Sequence, residues 1–539
     1  MSDSIEVYDS TLRDGAQAEG ITFSLEDKLL IARRLDRLGV HYIEGGWPNP
    51  TNPKDMAFFE EVGKLGLRAR VTAFGSTRRA LNPAAEDPTL KTLLRAGTAT
   101  VCIFGKSWTL HVEAALRISR EENLRLIEDS VAYLVAHGRE VIYDAEHYFD
   151  GYLAEPEYAL ATVAAAQRGG ARIAVLCDTN GGTLPGSLSR IFADTRARLD
   201  LPLGIHAHND SGVGVANTIA AVELGAVQVQ GTFNGYGERC GNANLCSILP
   251  NLELKLGRRA IGADNLGGLM EFSRFLSEIA NVYHDHRQPF VGESAFAHKG
   301  GVHIDAMTKD ARCYEHVDPE AVGNERRFLV SDQSGSGTVA TKLGAFFPSL
   351  SKRDPQVQEV LNQVKQLEHQ GYQFEAAEGS FELLARRVMG QYQDRFRPVS
   401  YRTISRKNER QGPEVAEAIV KVEAAGAMYH TVGEGDGPVN ALDQALRKAL
   451  EPVFPSLRGV HLEDYKVRVL SSADGTAARV RVLIESSDGS EVWGTVGASE
   501  NVIEASWLAL LDSLHFKLMR DAIAAAAPAS VARAGGRAT

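Results

Sequence analysis

The sequence predicts an α/β chain built on a (β/α)8 TIM barrel, followed by a helical subdomain and a C-terminal α+β domain. Three observations carry this prediction. Short β-rich runs alternate with amphipathic segments through the first half of the chain, which is the pattern of a parallel sheet. Roughly eight such units fit into the first ~260 residues, the size of a barrel of this type. Polar residues collect where the runs end, and barrel active sites sit at those ends. A doubly wound sheet is the competing fold. It more often carries a glycine-rich phosphate loop after its first strand, and that place holds Ser10-Thr-Leu-Arg-Asp-Gly15.

The runs are residues 5–9, 40–45, 69–74, 98–104, 140–145, 172–178, 203–208 and 227–233. Residues 24–38 form the first amphipathic segment, with Ser24 as N-cap and Asp27 in a capping-box-like place. Arg13 and Asp14 follow the first run, and Glu44 lies at the end of the second. Glu146 follows the fifth, Asp178 and Thr179 close the sixth, His206 and His208 the seventh, and Asn234 the eighth. The barrel is placed at residues 1–264 and the helical subdomain at 265–400. That subdomain holds Ala297-His-Lys-Gly-Gly-Val-His303 and Cys313-Tyr-Glu-His-Val-Asp-Pro319. Composition turns polar and basic over residues 398–413, which reads as a linker. The C-terminal domain, residues 401–521, carries a near-repeat. His430-Thr-Val-Gly433 precedes Gly437-Pro-Val-Asn-Ala-Leu-Asp-Gln-Ala-Leu446, as Gly494-Thr-Val-Gly497 precedes Glu500-Asn-Val-Ile-Glu-Ala-Ser-Trp507. Each copy reads as strand, glycine turn, helix. Two such halves suit either a small ligand at their junction or a dimerisation domain. Residues 522–539, rich in Ala with Gly and Arg, read as a flexible tail.

Composition narrows the function. With 44% hydrophobic and 24% charged residues the 539-residue chain has the balance of a soluble globular protein. Its net charge of −11 argues against nucleic acid as a partner, so an anionic substrate must be met by local cations. Cys102, Cys177, Cys240, Cys246 and Cys313 show neither zinc spacing nor a disulfide pattern, which fits a reducing cytoplasm. No apolar run is long enough to span a bilayer, and the N-terminus is no signal peptide.

In Leu201-Pro-Leu-Gly-Ile-His-Ala-His-Asn-Asp210 two histidines are spaced two apart, so on a strand both imidazoles share one face. Asp14, His206 and His208 make a three-donor set that leaves open positions and suits Mg²⁺, Mn²⁺ or Zn²⁺. The same set occurs in non-haem iron oxygenases, but those sit on antiparallel folds. Gly235-Tyr-Gly-Glu-Arg-Cys-Gly-Asn-Ala-Asn244 has the wrong spacing for a dinucleotide fingerprint, and Asn242 reads as a further ligand, direct or through water. Arg13 beside Asp14 suits an α-keto acid: the metal would chelate its oxygens while Arg13 meets the growing negative charge. The alternative for Arg13 is a salt bridge to Glu44 or Asp178. Thr179 is placed to donate to the substrate carboxylate.

Tyr8-Asp-Ser-Thr-Leu-Arg-Asp-Gly-Ala-Gln17, His206-Ala-His-Asn-Asp210 and Gly237-Glu-Arg-Cys-Gly-Asn242 resemble the signatures of a family of metal-dependent Claisen-condensing and retro-aldol barrels. It includes the 2-isopropylmalate, homocitrate and citramalate synthases and the hydroxymethylglutaryl-CoA lyases. Ala18-Glu-Gly-Ile-Thr-Phe-Ser24, Gly39-Val-His-Tyr-Ile-Glu-Gly-Gly-Trp-Pro48 and the run from Val496 to Trp507 most resemble the citramalate branch. Ala16 stands where leucine-pathway synthases usually show Glu, and Trp47-Pro48 replaces their usual Phe-Pro.

The resemblance implies an acyltransferase that condenses acetyl-CoA with pyruvate on the way to isoleucine. It implies metal ligands Asp14, His206, His208 and Asn242, carbonyl polarisation by Arg13, and keto-acid binding by Gln17, Glu44 and Thr179. Glu146 would belong to the base system. His303 and Tyr314 would be delivered by the helical subdomain, often of the partner subunit in a homodimer. The C-terminal repeat would sense isoleucine. The alternatives are 2-isopropylmalate synthase, which takes a branched keto acid, a lyase of the same group, and a non-catalytic amino-acid-binding regulator.

Overall fold

The computed structural model describes residues 4–49, 52–330, 336–344, 346–348, 350–351, 353–406, 415–470 and 478–526. The chain divides into two units: Met1–Phe296 with Glu315–Arg326, and Ala297–Tyr314 with Arg327–Thr539.

In the first unit the eight runs close into a parallel barrel in sequence order. The strands are β1 (Glu6–Asp9), β2 (Tyr42–Gly46), β3 (Arg70–Ser76), β4 (Thr100–Lys106), β5 (Glu140–Glu146), β6 (Ile173–Asp178), β7 (Leu203–Ala207) and β8 (Gln228–Gly231). Closure comes from β1 pairing β8, from Glu6 opposite Gln228 to Asp9 opposite Gly231. The period of two sorts every strand. Val7, Ile43, Ala73, Val101, Ile103, Val141, Tyr143, Ala145, Leu176, Ile205 and Val229 join one large core with the surrounding helices. The other parity faces inward, where Tyr8, Tyr42, Phe74, Cys102, Ile142, Val175 and Cys177 form a separate cluster. Glu44, Lys106, Asp144, Glu146, His206 and Gln230 share that inward parity, so the strand pattern alone turns them toward the barrel axis.

Local signals explain the helices. Leu25–Leu38 opens with the expected capping box: Ser24 Oγ accepts from the Asp27 backbone, and the Asp27 carboxylate accepts from Ser24 N–H, worth about 1 kcal/mol. Proline occupies the first turn of Pro53–Val62, Pro88–Arg95, Pro156–Gly169 and Pro185–Arg198, where a missing N–H costs nothing. The unit runs past the expected boundary at residue 264. Helix Leu269–Ile279 buries Leu269, Met270, Phe272 and Leu276 in the barrel's outer core, with the Phe272 ring 4.7 Å from Phe233. Asn324 donates to the carbonyls of Phe290 and Gly292 and so returns residues 315–326 to this unit.

The second unit holds a short parallel bridge, β9 (Ala297–His298) with β10 (Arg327–Phe328). Helices Ser336–Gly344, Pro355–His369 and Glu378–Val388 pack around Val339, Val357, Val360, Val364 and Phe381. Two three-stranded antiparallel sheets follow: β11 (Phe396–Arg406), β12 (Val415–Ala424) and β13 (Ala427–Gly435), then β14 (His461–Val469), β15 (Val480–Ser487) and β16 (Val492–Ser499). Each sheet is followed by a helix, Pro438–Leu450 and Val502–Ala526. The two T-V-G copies do the same job. A Cβ at Gly433 would lie 2.4 Å from Ala445 N, and one at Gly497 would lie 2.1 Å from Ala505 O, so only glycine lets each helix cross its own sheet. Thr431 Oγ1 donates to Ala445 O at 2.7 Å, and Thr495 Oγ1 to Ala509 O at 2.9 Å.

Two expectations change. Residues 398–406 are not linker but part of β11, an edge strand whose register slips between Pro398 and Ser400. An edge tolerates both the proline and the polar face that made the stretch look unstructured. Residues 407–414 lie outside the described residues. The last helix continues through residue 526, past the expected start of the tail at 522, and residues 527–539 lie outside the described residues.

His515, on that last helix, is 5% exposed and stacks on Phe396 at 4.0 Å. Burial pushes its pKa down to about 4, against the pull of Asp394. A histidine with a depressed folded pKa contributes stability above its unfolded value of about 6.5, lost as pH falls from there to about 4. The loss reaches roughly 3 kcal/mol. His515→Phe is expected to keep the second unit folded to lower pH in an acid titration followed by circular dichroism. An unchanged acid limb would remove His515 as its cause.

Candidate active site and metal centre

A cavity of about 220 Å³ opens at the C-terminal ends of the barrel strands. That is below the ~300 Å³ at which pockets for drug-sized ligands begin, and it suits a small acid. Of the residues singled out from sequence, Arg13, Asp14, Gln17, Glu146, Thr179, His206 and His208 all line it. Trp47, Phe74 and Phe104 add an aromatic wall, their ring centroids 5.5–5.7 Å apart.

Asp14, His206 and His208 come together as a buried set that could hold a metal ion, their donor atoms within 4.8 Å of one another. Nε2 of His206 lies 3.5 Å and Nε2 of His208 3.9 Å from Oδ2 of Asp14. Burial pushes the Asp14 carboxyl up, but Arg13, His206, His208 and the Asn242 amide outweigh it and leave the pKa lowered. Burial, helped by His206, takes His208 down to about 4, so its imidazole is neutral at pH 7 and has a lone pair to give. Asn242 pairs with His208 in an isolated bridge. Its Nδ2 donates to Tyr236 O at 3.2 Å, while its Oδ1 is buried without a partner. A carboxylate, two imidazoles and an orphaned amide oxygen fit a divalent cation. The loop is wrapped this tightly by glycine: a Cβ at Gly241 (φ 81°) would sit 1.9 Å from Gly235 O.

Arg13 is fixed on three sides. Its Nε donates to Glu44 Oε1 at 2.5 Å, Nη1 lies 3.5 Å from Asp14 Oδ2, and its Cζ sits 3.7 Å from the Phe74 ring centroid. Burial works against its charge, but Glu44 and Asp14 outweigh burial and raise its pKa. Arg13 is therefore salt-bridged to Glu44 and also lines the cavity. Glu44 is corrected. It is fully buried, does not line the cavity, and accepts from Tyr8 Oη at 2.5 Å and Ser10 Oγ at 2.6 Å as well as from Arg13. Both its oxygens are engaged, and one of them holds Arg13. Asp178 instead accepts from the backbone N–H and the hydroxyl of Thr183.

Thr179 Oγ1 accepts from His147 N–H at 2.9 Å, which leaves its hydroxyl proton to donate. Its carbonyl accepts from Arg239 Nη2 at 2.8 Å, and Arg239 also clamps Asp210 at 2.8 and 2.9 Å. Glu146 sits in register with Lys106, and the two form an ion pair. His303 and Tyr314 belong to the second unit, where their rings stack at 4.0 Å.

Sequence reasoning missed Lys106, Arg239, Asp144 and the aromatic wall. Lys106 was findable: the fourth run was ended at residue 104, two short of the strand's end. Phe74 and Phe104 lie within strands, where aromatic side chains ordinarily serve packing, so nothing local marks them as cavity residues.

A family model described as HMGL-like matches residues 4–274. One described as homocitrate synthase post-HMGL domain-like matches residues 290–372, and one described as LeuA allosteric (dimerisation) domain matches residues 375–518. The chain is 53% identical to an (R)-citramalate synthase of Geobacter sulfurreducens over 515 residues, 95% of this chain and 97% of that one. It is 52% identical to the enzyme of that name from Aquifex aeolicus over 523 residues, 97% and 99% of the two chains. It is 52% identical to that from Synechocystis sp. over 527 residues, 96% of each.

Proposed function

The chain belongs to the (R)-citramalate synthase family, and from that membership we propose how these residues make citramalate from acetyl-CoA, pyruvate and water. The single observation that carries the reading is the buried Asp14–His206–His208 set with Arg13 fixed beside it.

Arg13 presents a permanent cation to the keto oxygen of pyruvate, whose negative charge grows as the new carbon–carbon bond forms. Thr179 donates its hydroxyl to the pyruvate carboxylate. The aromatic wall of Trp47, Phe74 and Phe104 leaves room for the methyl group and crowds a branched side chain. Glu146, held by Lys106, takes the proton from the acetyl methyl, which makes the carbon nucleophile. Asp14, His206, His208 and Asn242 would hold the cation, Mn²⁺ or Mg²⁺ ahead of Zn²⁺. Such a cation draws electron density from the keto carbonyl and opens its carbon to attack. Attack gives citramalyl-CoA, and water then cleaves the thioester to release CoA and (R)-citramalate. His303 and Tyr314 are proposed to complete the base system, supplied by the partner in a homodimer. The paired C-terminal sheets are proposed as the sensor for isoleucine, the end product of the route this reaction would feed. No described helix is long and apolar enough to cross a membrane, and the cytoplasm is the proposed location.

The test is thiol release from acetyl-CoA by chelator-stripped enzyme reloaded with Mn²⁺ or Mg²⁺, with pyruvate, 2-oxobutyrate, 2-oxoisovalerate and 2-oxoglutarate in parallel. Pyruvate is expected to give the highest kcat/KM. An apolar wall discriminates by roughly 1–3 kcal/mol per methylene, so 2-oxobutyrate should fall 10-fold or more and 2-oxoisovalerate further. Isoleucine should inhibit the pyruvate reaction. Preference for 2-oxoisovalerate would overturn the substrate reading and move the chain to the leucine branch.

A further inference from the structure

Gln230 and Asp144 have no part in the reaction as derived, yet both are inward-facing barrel residues and almost wholly buried. Gln230 sits in β8 in register with His206 of β7. Its Oε1 lies 3.1 Å from Nδ1 of His206, and its Nε2 donates to Oδ1 of Asp144 at 3.1 Å. With the NH2 end of the amide donating to Asp144, the amide oxygen is the end left facing His206. An amide oxygen only accepts, so Nδ1 of His206 must carry the ring proton. With Nδ1 holding a proton, Nε2, the nitrogen facing Asp14, is the one that can offer a lone pair. His208 has no such arrangement: its Nδ1 is buried without a hydrogen-bond partner.

We propose that Asp144 and Gln230 form a relay that selects the His206 tautomer and thereby sets the affinity of the Asp14–His206–His208 set for a divalent cation. Both are positioning residues, since neither donates to the cation. The proposal rests on reading that set as the metal site. The alternative tautomer would point an N–H into the donor set and remove one ligand. Partners of this kind typically carry 10–100-fold in metal affinity.

The experiment is Mn²⁺ binding to the full-length protein, followed by the electron paramagnetic resonance signal of the free ion, which needs no turnover. Gln230→Met removes the acceptor and Asp144→Asn supplies a donor that lets the Gln230 amide flip. Each is expected to bind Mn²⁺ 10–100-fold more weakly than the parent. Gln230→Glu keeps an acceptor at Nδ1 and is expected to stay within a few-fold of the parent. Parental affinity in Gln230→Met and Asp144→Asn, with binding abolished in Asp14→Asn, would overturn the relay and leave the metal site standing. Equal weakening in Gln230→Glu would assign the effect to packing and also overturn it. No binding by the parent, or undiminished binding by Asp14→Asn, would overturn the metal site and the relay with it.

Discussion

Asp14→Asn is expected to lower kcat by about 10³-fold or more while leaving the barrel folded. The size follows from where Asp14 stands. Its Oδ2 lies 3.5 and 3.9 Å from the two histidine Nε2 atoms, and it is also 3.5 Å from the Arg13 guanidinium. It is the one carboxylate of the set, so the change removes the anionic donor and adds an N–H that points at neighbouring donors. The fold should survive because Asn is isosteric and the strand pairings at this seam are backbone bonds. Asp14 has a depressed pKa in the folded protein, so its carboxylate contributes stability above pH ~4 that is lost as pH falls. The variant should therefore show a slightly lower unfolding free energy at neutral pH and a flatter acid limb. The checks are single-turnover thiol release and circular dichroism. Turnover within tenfold of the parent would take Asp14 out of the metal set.

Glu44→Gln is the second large effect, and it acts on stability and rate together. Glu44 is fully buried and accepts three hydrogen bonds, from Tyr8, Ser10 and Arg13. Gln keeps the volume but replaces one acceptor with an NH2 facing those donors. It also leaves the Arg13 guanidinium with Asp14 as its nearest remaining countercharge. Removing one partner of a buried ion pair typically costs about 3–5 kcal/mol. Urea unfolding should register a loss of that order. Arg13, freed to rotate, should also lose about 10²-fold in kcat, with little change in KM for pyruvate, because its charge is needed most where negative charge develops. A residue that touched pyruvate would behave differently: KM would rise and stability would hold. That second pattern would return Glu44 to the substrate-binding set.

The barrel was legible because period-two strands and capped, proline-opened helices are local features. The donor set was legible because His206 and His208 share a strand face by parity and Asp14 follows the first strand. What sequence left out depends on which strands are neighbours. Lys106 matters through its register with Glu146, and Gln230 through its register with His206. Strand alternation places each inside the barrel but does not say what lies opposite. Gln228 and Gln230 did offer a hint, since two amides at alternate positions in an otherwise apolar run face inward together. Glu44 was misread because a strand-end acid looks the same whether it faces substrate or an arginine behind the cavity. The β11 stretch was misread because an edge strand keeps a polar face and tolerates Pro398.

The barrel has one place where its wall is not continuous chain running into the next hairpin of β/α units: the line where β1 meets β8, joined only after more than two hundred residues have been laid down. Asp14 stands on one side of that line, and His206, His208 and Asn242 stand on the other. A cation shared among them would act as a clasp across the wall. By mass action, an ion at a hundred times its dissociation constant adds about 2.7 kcal/mol to the closed state. Metal supply would then bear on how long the enzyme holds its shape as well as on how fast it turns over.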